Sequence, residues 1–190
     1  MKFEETKKVL IKFAKDVIAE AKKNLKKDKK NTSGALSRSL KYKDKIMPNS
    51  FLLQFEMADY GEYQDAGVDG VNKRYGKRKY GRKTFKYKRR GGKNSLKGMP
   101  PPSAFDKWVV KKGGKFNQSI RDSKGRFINR QSLTFVLAKS IFEKGIKPSY
   151  FFSSAFEKAY KKLPKEFIAK YELDIDKFIT HTLKDYNGTN

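Results

Sequence analysis

The run Phe51-Leu52-Leu53-Gln54-Phe55-Glu56-Met57 decides the fold class of this 190-residue chain. Its odd-numbered positions are apolar and its even-numbered positions are mostly polar, and this period of two is typical of a half-buried strand. A turn signal, Met47-Pro48-Asn49-Ser50, precedes it, and the segment before the turn, 36–46, is polar and weakly patterned. The pattern therefore predicts a β-hairpin over 36–57.

A helical pattern occupies residues 3–30, upstream of the hairpin. Apolar side chains recur there at spacings of three and four, and the opposite face is almost entirely charged. No Gly or Pro interrupts the pattern until Asn31-Thr32-Ser33-Gly34 supplies a stop and a turn. We expect one long helix, and its buried stripe consists of Leu10, Phe13, Val17, Ala21 and Leu25.

Helical patterns also dominate the rest of the chain. Short helices are expected over 59–66, with Asp59 as the cap, and over about 100–112, after a run of three prolines. Longer helices are expected over about 132–144, over about 148–163, and from Pro164 onward. Helices then outnumber strands, which predicts an α+β fold. The apolar face of the last helix consists of Phe167, Ile168, Tyr171, Ile175, Phe178, Ile179 and Leu183.

The length favours a single domain over 1–190, with two segments set apart by composition. The first, 67–100, contains a stretch over 73–97 with 13 Lys or Arg and no Asp or Glu. Such a sequence has little apolar surface to offset its ordering entropy, so we expect an inserted basic arm that is mobile by itself. The second segment, 113–130, is expected to be a polar loop.

The net charge of +26, from 46 Lys and Arg against 20 Asp and Glu, is the strongest compositional signal. A surface this basic repels itself and favours a polyanionic partner, which nucleic acid or an acidic protein surface would provide. The absence of cysteine excludes disulfides and thiolate metal sites. No apolar run is long enough to span a membrane and no export signal is evident, so we expect a cytosolic origin and no membrane partner.

The basic arm is the segment with the clearest binding chemistry. Lys and Arg neutralise phosphates, and interleaved Tyr and Phe rings can stack on bases. Three hypotheses are open: the arm faces DNA, it straps onto the acidic flank of a neighbouring subunit, or it is a solvated loop. The residues nominated for contact with nucleic acid or a partner are Lys73, Arg74, Lys77, Arg78, Lys79, Arg82, Lys83, Arg89 and Arg90.

Two blocks of small and aromatic residues flank the basic arm. The first consists of Gly34-Ala35-Leu36-Ser37-Arg38-Ser39-Leu40, the predicted hairpin, and Ala58-Asp59-Tyr60-Gly61-Glu62-Tyr63-Gln64-Asp65-Ala66-Gly67. The second is Gly145-Ile146-Lys147-Pro148-Ser149-Tyr150-Phe151-Phe152-Ser153-Ser154-Ala155-Phe156. In this order the blocks resemble the core of the small head–tail connector and tail-completion proteins of long-tailed bacteriophages. The segment between them, with Arg121-Asp122-Ser123-Lys124-Gly125-Arg126-Phe127, is similar to the insert of larger members.

The resemblance implies a long N-terminal helix packed on a small antiparallel sheet, with C-terminal helices. It implies a structural virion protein, a homo-oligomeric ring of six or twelve copies at the neck or tail end that joins portal or adaptor to tail. Connector, tail-completion and tail-terminator roles are the options, with assembly in the host cytoplasm and genomic DNA in the channel as a further contact. No catalysis, cofactor or metal is implied.

Aromatic residues in the two blocks are candidates for subunit interfaces. The run Tyr150-Phe151-Phe152, with Phe156 and Tyr160 beyond it, is large and apolar enough for such a role. Core packing is the favoured interpretation for Phe152 and Phe156. The interface candidates are therefore Tyr60, Tyr63, Tyr150 and Phe151.

Residues with catalytic potential are few. His181 is the only histidine, so a histidine metal site or a catalytic triad has no second member. The run Gly91-Gly92-Lys93-Asn94-Ser95 lacks the leading Gly and the Ser or Thr after Lys that a phosphate loop needs. We expect no enzyme, and the alternative to a virion protein is a sequence-nonspecific nucleic-acid-binding protein that uses the basic arm. The acidic residues expected in solvated salt bridges, not in a catalytic pair, are Glu56, Asp59, Glu62 and Asp65.

Overall fold

The computed structural model describes residues 3–28, 33–47, 50–110, 125–126 and 128–187. The chain divides into two units: unit 1 holds the residues up to Ala58 and from Phe151 onward, and unit 2 is Asp59–Tyr150. The α+β fold class is confirmed, with a long N-terminal helix, small sheets and C-terminal helices. The residues that were predicted to form a single domain are thus divided between two units.

The first helix, α1, spans Glu4–Lys27 in unit 1 and confirms the prediction over 3–30. Its buried residues include Phe13, Val17, Ala21 and Leu25, spaced by four, so they form one stripe along the helix, whereas Leu10 is only half-buried. Acidic residues occupy the first turn of α1 and basic residues its last turn, where both signs complement the helix dipole.

The first residues of the predicted hairpin are helical instead. The helix α2 spans Ala35–Ser39 and follows Gly34, which has a left-handed φ of 69°. Leu36 and Leu40 lie four residues apart and are both buried, which suits a helical turn. The prediction of a strand is therefore wrong for residues 36–40, and β1 begins at Lys41.

The predicted hairpin itself is present in unit 1. The strands β1 (Lys41–Met47) and β2 (Ser50–Glu56) pair in antiparallel register. Along β2 the apolar odd-numbered positions are half-buried, whereas Leu52 between them is 49% exposed. The period of two in the sequence thus corresponds to the two faces of the strand. The turn residues 48–49 lie outside the described residues.

An aromatic cluster forms the centre of unit 1. It joins α1 and β2 to α6 (Phe151–Tyr160), and α7 (Leu163–Asn187) follows α6. The ring centroids of its pairs lie 5.4–6.3 Å apart, within the range that aromatic pairs prefer. Complete burial of one such ring stabilises a fold by roughly 1.5–3 kcal/mol. The rings belong to Phe13, Phe55, Phe152 and Phe156.

Asp174 joins α7 to the first turn of α1. Its carboxylate accepts hydrogen bonds from the Thr6 N–H at 2.9 Å, the Thr6 hydroxyl at 2.7 Å and the Glu5 N–H at 3.3 Å. It therefore satisfies N–H groups that a helix start leaves unpaired. Burial alone would raise the pKa of Asp174, but these hydrogen bonds and the charge of Lys177 outweigh burial and lower it.

The predicted apolar face of α7 is only partly covered. Phe167 and Ile175 are half-buried, and α7 packs on α1 and, less extensively, on α6. The side chain of Leu183 lies outside the described residues. The exposed members of the face are Ile168, Tyr171, Phe178 and Ile179.

Unit 2 consists of short elements and one longer helix. They are α3 (Tyr60–Ala66), β3 (Val68–Asp69), β4 (Phe85–Lys86), a 3-10 helix (Pro102–Phe105), α4 (described over 106–110), α5 (Arg130–Lys144) and β5 (Gly145–Ile146). The strands form one sheet in the order β4-β3-β5, and β3 is parallel to β4 and antiparallel to β5. In this order β4 is an edge strand.

Two glycines allow the backbone of β3 to approach the end of α5. A Cβ on Gly145 would collide with the carbonyl oxygen of Val68, and one on Gly70 with that of Glu143. Gly145 also has a φ of 75°, which favours glycine. The N–H of Val71 donates to Phe142 O at 3.0 Å, which extends the approach beyond the sheet.

The caps of unit 2 differ from the prediction. Asp59 makes no side-chain cap hydrogen bond to α3, so that prediction is wrong. Asn129 instead caps α5, because its Oδ1 accepts from the Ser132 N–H at 2.7 Å, and α5 begins two residues before the predicted 132. Most of the predicted polar loop 113–130 and the end of the predicted helix 100–112 lie outside the described residues.

Candidate functional site

A buried ion pair holds the start of the basic segment in unit 2. The Oδ1 of Asp69, at the end of β3, accepts hydrogen bonds from Arg78 Nη2 at 2.7 Å and from the Tyr75 N–H at 2.9 Å. The side chains of Arg78 and Asp69 are 0% and 9% exposed. Burial alone would raise the pKa of Asp69, but the hydrogen bonds from Arg78 and Tyr75 and the charges of Arg78 and Arg74 outweigh burial and lower it. Asp69 therefore neutralises an enclosed guanidinium.

Asp65, in α3, forms a second pair with the same segment. One of its carboxylate oxygens lies 3.0 Å from Nε of Arg82, and the Asp65 side chain is fully buried. The salt bridge predicted for Asp65 is therefore present, but its carboxylate is buried and only the Arg82 side chain, 27% exposed, reaches solvent. In the sequence, the Asp69–Arg78 pair is nested within the Asp65–Arg82 pair.

The basic segment makes contacts within unit 2, whereas its composition alone predicted an inserted arm that is mobile by itself. Its strand β4 pairs with β3, and the Arg90 N–H donates to Lys97 O at 2.9 Å. The charged side chains inside 73–97 are all basic. Their counter-charges, Asp65 and Asp69, precede that segment in the sequence and reach it through the fold.

The nine nominated basic residues separate into structural and exposed groups. Arg78 is enclosed and unavailable to an external phosphate, and Arg82 is occupied by Asp65. Arg89 is half-buried, and its Nη2 donates to Asn72 Oδ1 at 3.2 Å. The nominated side chains that are exposed are Lys73, Arg74, Lys77, Lys79, Lys83 and Arg90.

A cavity of about 490 Å³ lies beside β4 and is lined mainly by basic and polar side chains. We call it the basic cavity. Asp69 is the acidic residue of its wall, and Arg78 already neutralises that carboxylate. Four cations around a concave surface attract anions, and guanidinium groups hold phosphate oxygens well. The side chains that line it include Arg74, Lys86, Arg89 and Lys93, with Asn72 and Thr84 between them.

A second cavity, of about 470 Å³, is lined largely by aromatic rings, and we call it the aromatic cavity. Tyr60 and Tyr63 line it and are 50% and 45% exposed. The Tyr63 ring meets Phe85 at 4.6 Å between centroids, with the planes inclined by 60°. Lys86 and Tyr87 line both cavities, so the basic and the aromatic cavity adjoin at β4.

The four interface candidates occupy different environments. Tyr60 and Tyr63 present their rings at the surface, whereas Phe151 is fully buried in the core of unit 1 and offers no surface to a partner. The Tyr150 hydroxyl accepts from the Lys79 N–H at 3.1 Å, and its ring lies 5.5 Å from that of Tyr80. Tyr80 and Tyr150 both have left-handed φ values, 57° and 51°, which are unfavourable for residues other than glycine.

Most residues that line the basic cavity were not nominated from the sequence, and they include Asn72, Thr84, Lys86 and Lys93. A signal for two of them exists, because Thr84-Phe85-Lys86-Tyr87 alternates polar and aromatic residues with the period of a strand. Thr84 and Lys86 are exposed and the two rings are half-buried. Asn72 and Lys93 carry no local signal, because their place at the cavity depends on the folded path of the chain.

The residues considered for catalysis lie on different elements: Glu56 in β2, Glu62 and Asp65 in α3, and His181 in α7. His181 is exposed on α7, and Glu56 forms an ion pair with Lys43 in unit 1. Among the described residues no group of three or more His, Cys, Asp or Glu side chains could hold a metal ion. In that same part of the chain no helix has both the length and the apolar character needed to cross a membrane.

Comparisons with family models, with curated proteins and with solved structures each found no significant match to this chain.

Proposed function

We propose that this chain is a structural protein of a tailed bacteriophage particle, one subunit of a ring at the neck or tail end. The ring would contain six or twelve copies and join portal or adaptor to tail. The proposal starts from the resemblance of two sequence blocks, within 34–67 and 145–156, to head–tail connector and tail-completion proteins.

One observation carries the proposal: the two blocks pack on each other in each unit. In unit 1, the Phe55 ring of the hairpin lies 5.4 Å from Phe152 and 6.0 Å from Phe156. In unit 2, the Ser149 hydroxyl of the second block donates to Gln64 O of the first at 2.7 Å. The whole of 68–144 separates the blocks in sequence, so tertiary structure brings them together. Contact between the two blocks is what a fold shared with those proteins would require.

The glycine that ends the first block has a specific role where the blocks meet. Gly67 has a φ of 72°, and a Cβ there would lie 2.6 Å from Ile146 O and from Pro148 N. Next to it, the Tyr150 N–H donates to Asp65 O at 3.0 Å. A glycine at this position is therefore required by backbone proximity, which gives the motif a physical reason.

Deletion of the gene from a phage or prophage that carries it tests the proposal. A missing neck or tail-completion ring is expected to leave heads and tails that do not join, and a plasmid copy of the gene should restore complete particles. Mass spectrometry of purified particles should detect the chain in multiple copies. Normal infectious particles after deletion, together with the absence of the chain from wild-type particles, would contradict the proposal.

A second candidate is sequence-nonspecific nucleic-acid binding, which the basic cavity and the net charge of +26 favour. Log affinity for duplex DNA should then fall by about 0.9 per phosphate contact for each log unit of salt. Replacement of Lys73, Lys77, Lys79 and Lys83 by Gln should reduce that slope, since all four are exposed. A slope that stays at the wild-type value would show that these lysines do not bind the DNA.

A further inference from the structure

We infer that unit 2 binds single-stranded nucleic acid along β4, with phosphates in the basic cavity and bases on the rings of the aromatic cavity. The inference is independent of the neck or tail role. It narrows the class of nucleic acid and names a site that net charge alone does not define.

The basic cavity provides the phosphate-binding groups. Arg74, Lys86 and Lys93 are exposed cations in its wall, and Arg89 is oriented by its hydrogen bond to Asn72 Oδ1 at 3.2 Å. Asp69, which would repel a phosphate, already accepts from Arg78 at 2.7 Å and from the Tyr75 N–H at 2.9 Å. Among the described residues, the wall therefore carries an excess of positive charge.

The aromatic cavity provides surfaces for stacking. Tyr60 and Tyr63 are about half exposed although both are large rings, and Phe85 holds Tyr63 by an edge-to-face contact at 4.6 Å. An ordered and accessible ring is a platform for a base, since every base has a π-face. Gln64 belongs to the same wall, and its Nε2 is a buried donor that has no hydrogen-bond partner among the described residues.

The basic and the aromatic cavity lie side by side, as the phosphates and the bases of one strand of nucleic acid do. Lys86 and Tyr87 belong to both walls, so cationic and aromatic surfaces adjoin along a single stretch of backbone. That stretch contains β4, which is an edge strand of its sheet and whose Lys86 is exposed. Proteins that bind single strands combine a basic groove with stacking rings in this way.

A single strand accounts for more of these features than a duplex or an acidic protein does. A duplex keeps its bases stacked on each other, so its phosphates would contact the cations but its bases would not stack on the rings. An acidic peptide also needs only the cations. The exposed Tyr60 and Tyr63 next to the basic cavity are explained when unpaired bases are present.

Fluorescence anisotropy with the full chain tests the inference. The probe is a fluorescein-labelled, mixed-sequence DNA strand of roughly 20 nucleotides, longer than the roughly 4–16 nucleotides that one binding module covers. Its duplex is measured at the same salt concentrations. We expect tighter binding of the single strand than of the duplex, and unlabelled poly-glutamate should displace the strand far less effectively than unlabelled DNA does.

Paired variants separate the two cavities. Tyr60→Ala with Tyr63→Ala should weaken single-strand binding by about tenfold or more and leave the salt slope unchanged, and Tyr60→Phe with Tyr63→Phe should retain binding because the rings remain. Arg74→Gln with Lys93→Gln should reduce the salt slope by about 0.7 for each phosphate that the variant no longer neutralises. The matched control is Lys7→Gln with Lys15→Gln on the exposed face of α1, which changes net charge equally and should keep the single-strand preference.

Three results would overturn the inference. They are equal or tighter binding of the duplex, wild-type affinity in a folded Tyr-to-Ala variant, and displacement by poly-glutamate as effective as that by DNA. The first and third use the wild-type chain, so the test does not depend on the folding of any variant. Failure here would leave the particle deletion experiment unaffected.

Discussion

Unit 1 and unit 2 enclose different kinds of side chain. The centre of unit 1 consists of rings and aliphatic groups, such as Phe13, Phe151 and Leu25. Among the described residues of unit 1, Asp174, which lies at the start of α1, is the buried carboxylate. Unit 2 also buries apolar side chains, among them Leu133 and Phe142, but it encloses Asp65, Asp69 and Arg78 as well. One unit therefore depends mostly on the removal of apolar surface from water, and the other depends in addition on buried ion pairs.

The comparison shows that a strongly basic stretch is not necessarily unfolded. The segment 73–97 has no acid of its own, yet Arg78 and Arg82 each meet an aspartate that precedes the segment. Two internal counter-charges fix its path and leave the remaining cations at the surface. A unit built in this way combines a defined structure with a high density of exposed positive charge.

The largest expected effect comes from removing one member of a buried ion pair in unit 2. Asp69→Ala should destabilise unit 2 by about 3–5 kcal/mol, because it leaves the guanidinium of Arg78 buried without its counter-charge. Peptide-resolved hydrogen exchange should show reduced protection over 68–87. The control is Asp106→Ala, which breaks an exposed pair with Arg130 and should cost about 0–1 kcal/mol. Equal effects of the two variants would show that the enclosed ion pair of unit 2 contributes no more than an exposed one.

The counterpart test in unit 1 is a substitution that leaves a void in its apolar core. Leu25→Ala should cost about 2–5 kcal/mol, since Leu25 is fully buried and its removal leaves a void. The matched control, Leu52→Ala on the exposed side of β2, should stay within about 0.5 kcal/mol. Denaturant unfolding followed by circular dichroism measures both. The account of unit 1 as an apolar core fails if Leu52→Ala destabilises as much as Leu25→Ala.

Acid should weaken unit 1 through Asp174. Its pKa in the folded chain is lowered from an unfolded value of about 3.9, so the folded state binds fewer protons there. The contribution is therefore complete above the unfolded pKa and is lost as the pH falls through the folded pKa. Hydrogen bonds to a charged acceptor contribute about 1.5–3 kcal/mol.

The pH dependence of stability in Asp174→Asn tests this. The variant should be less stable at neutral pH and show a smaller further loss below about pH 4 than the wild type. Asp176→Asn, on the exposed side of the same helix, should retain the wild-type pH profile. An unchanged acid response in Asp174→Asn would exclude this carboxylate as its source.

The smallest expected effect concerns the cap of α5 in unit 2. Asn129→Ala removes the acceptor of the Ser132 N–H and should cost about 1 kcal/mol. Asn129→Ser keeps an acceptor and should recover most of that loss. Thermal unfolding of the two variants measures the difference. If both variants lost equal stability, the side-chain cap would contribute nothing.

Local periodicity accounts for the elements that were predicted correctly. The helix α1 and the strand β2 each repeat apolar residues with one clear period, and α5 and α6 are bounded by Gly or Pro, so a window of sequence contains the information. The helix α2 (Ala35–Ser39) was mistaken for a strand because two leucines four residues apart, Leu36 and Leu40, are too few to establish a helical period.

The site was less predictable because its contacts are non-local. The strands β3, β4 and β5 contain two residues each, and each pairs with a partner that is distant in the sequence. The pairs Asp65–Arg82 and Asp69–Arg78 depend on that pairing as well. The exposed cations of the basic segment could be nominated from composition, but their grouping with Asn72 and Lys93 could not.

A symmetry-resolved cryo-EM map of the intact particle's neck and tail tests the proposed role most directly. The proposal predicts a closed ring of this chain between portal and tail tube or at the tail end, with the density of both units traceable in each subunit. A map in which other chains account for the whole neck and tail would contradict it.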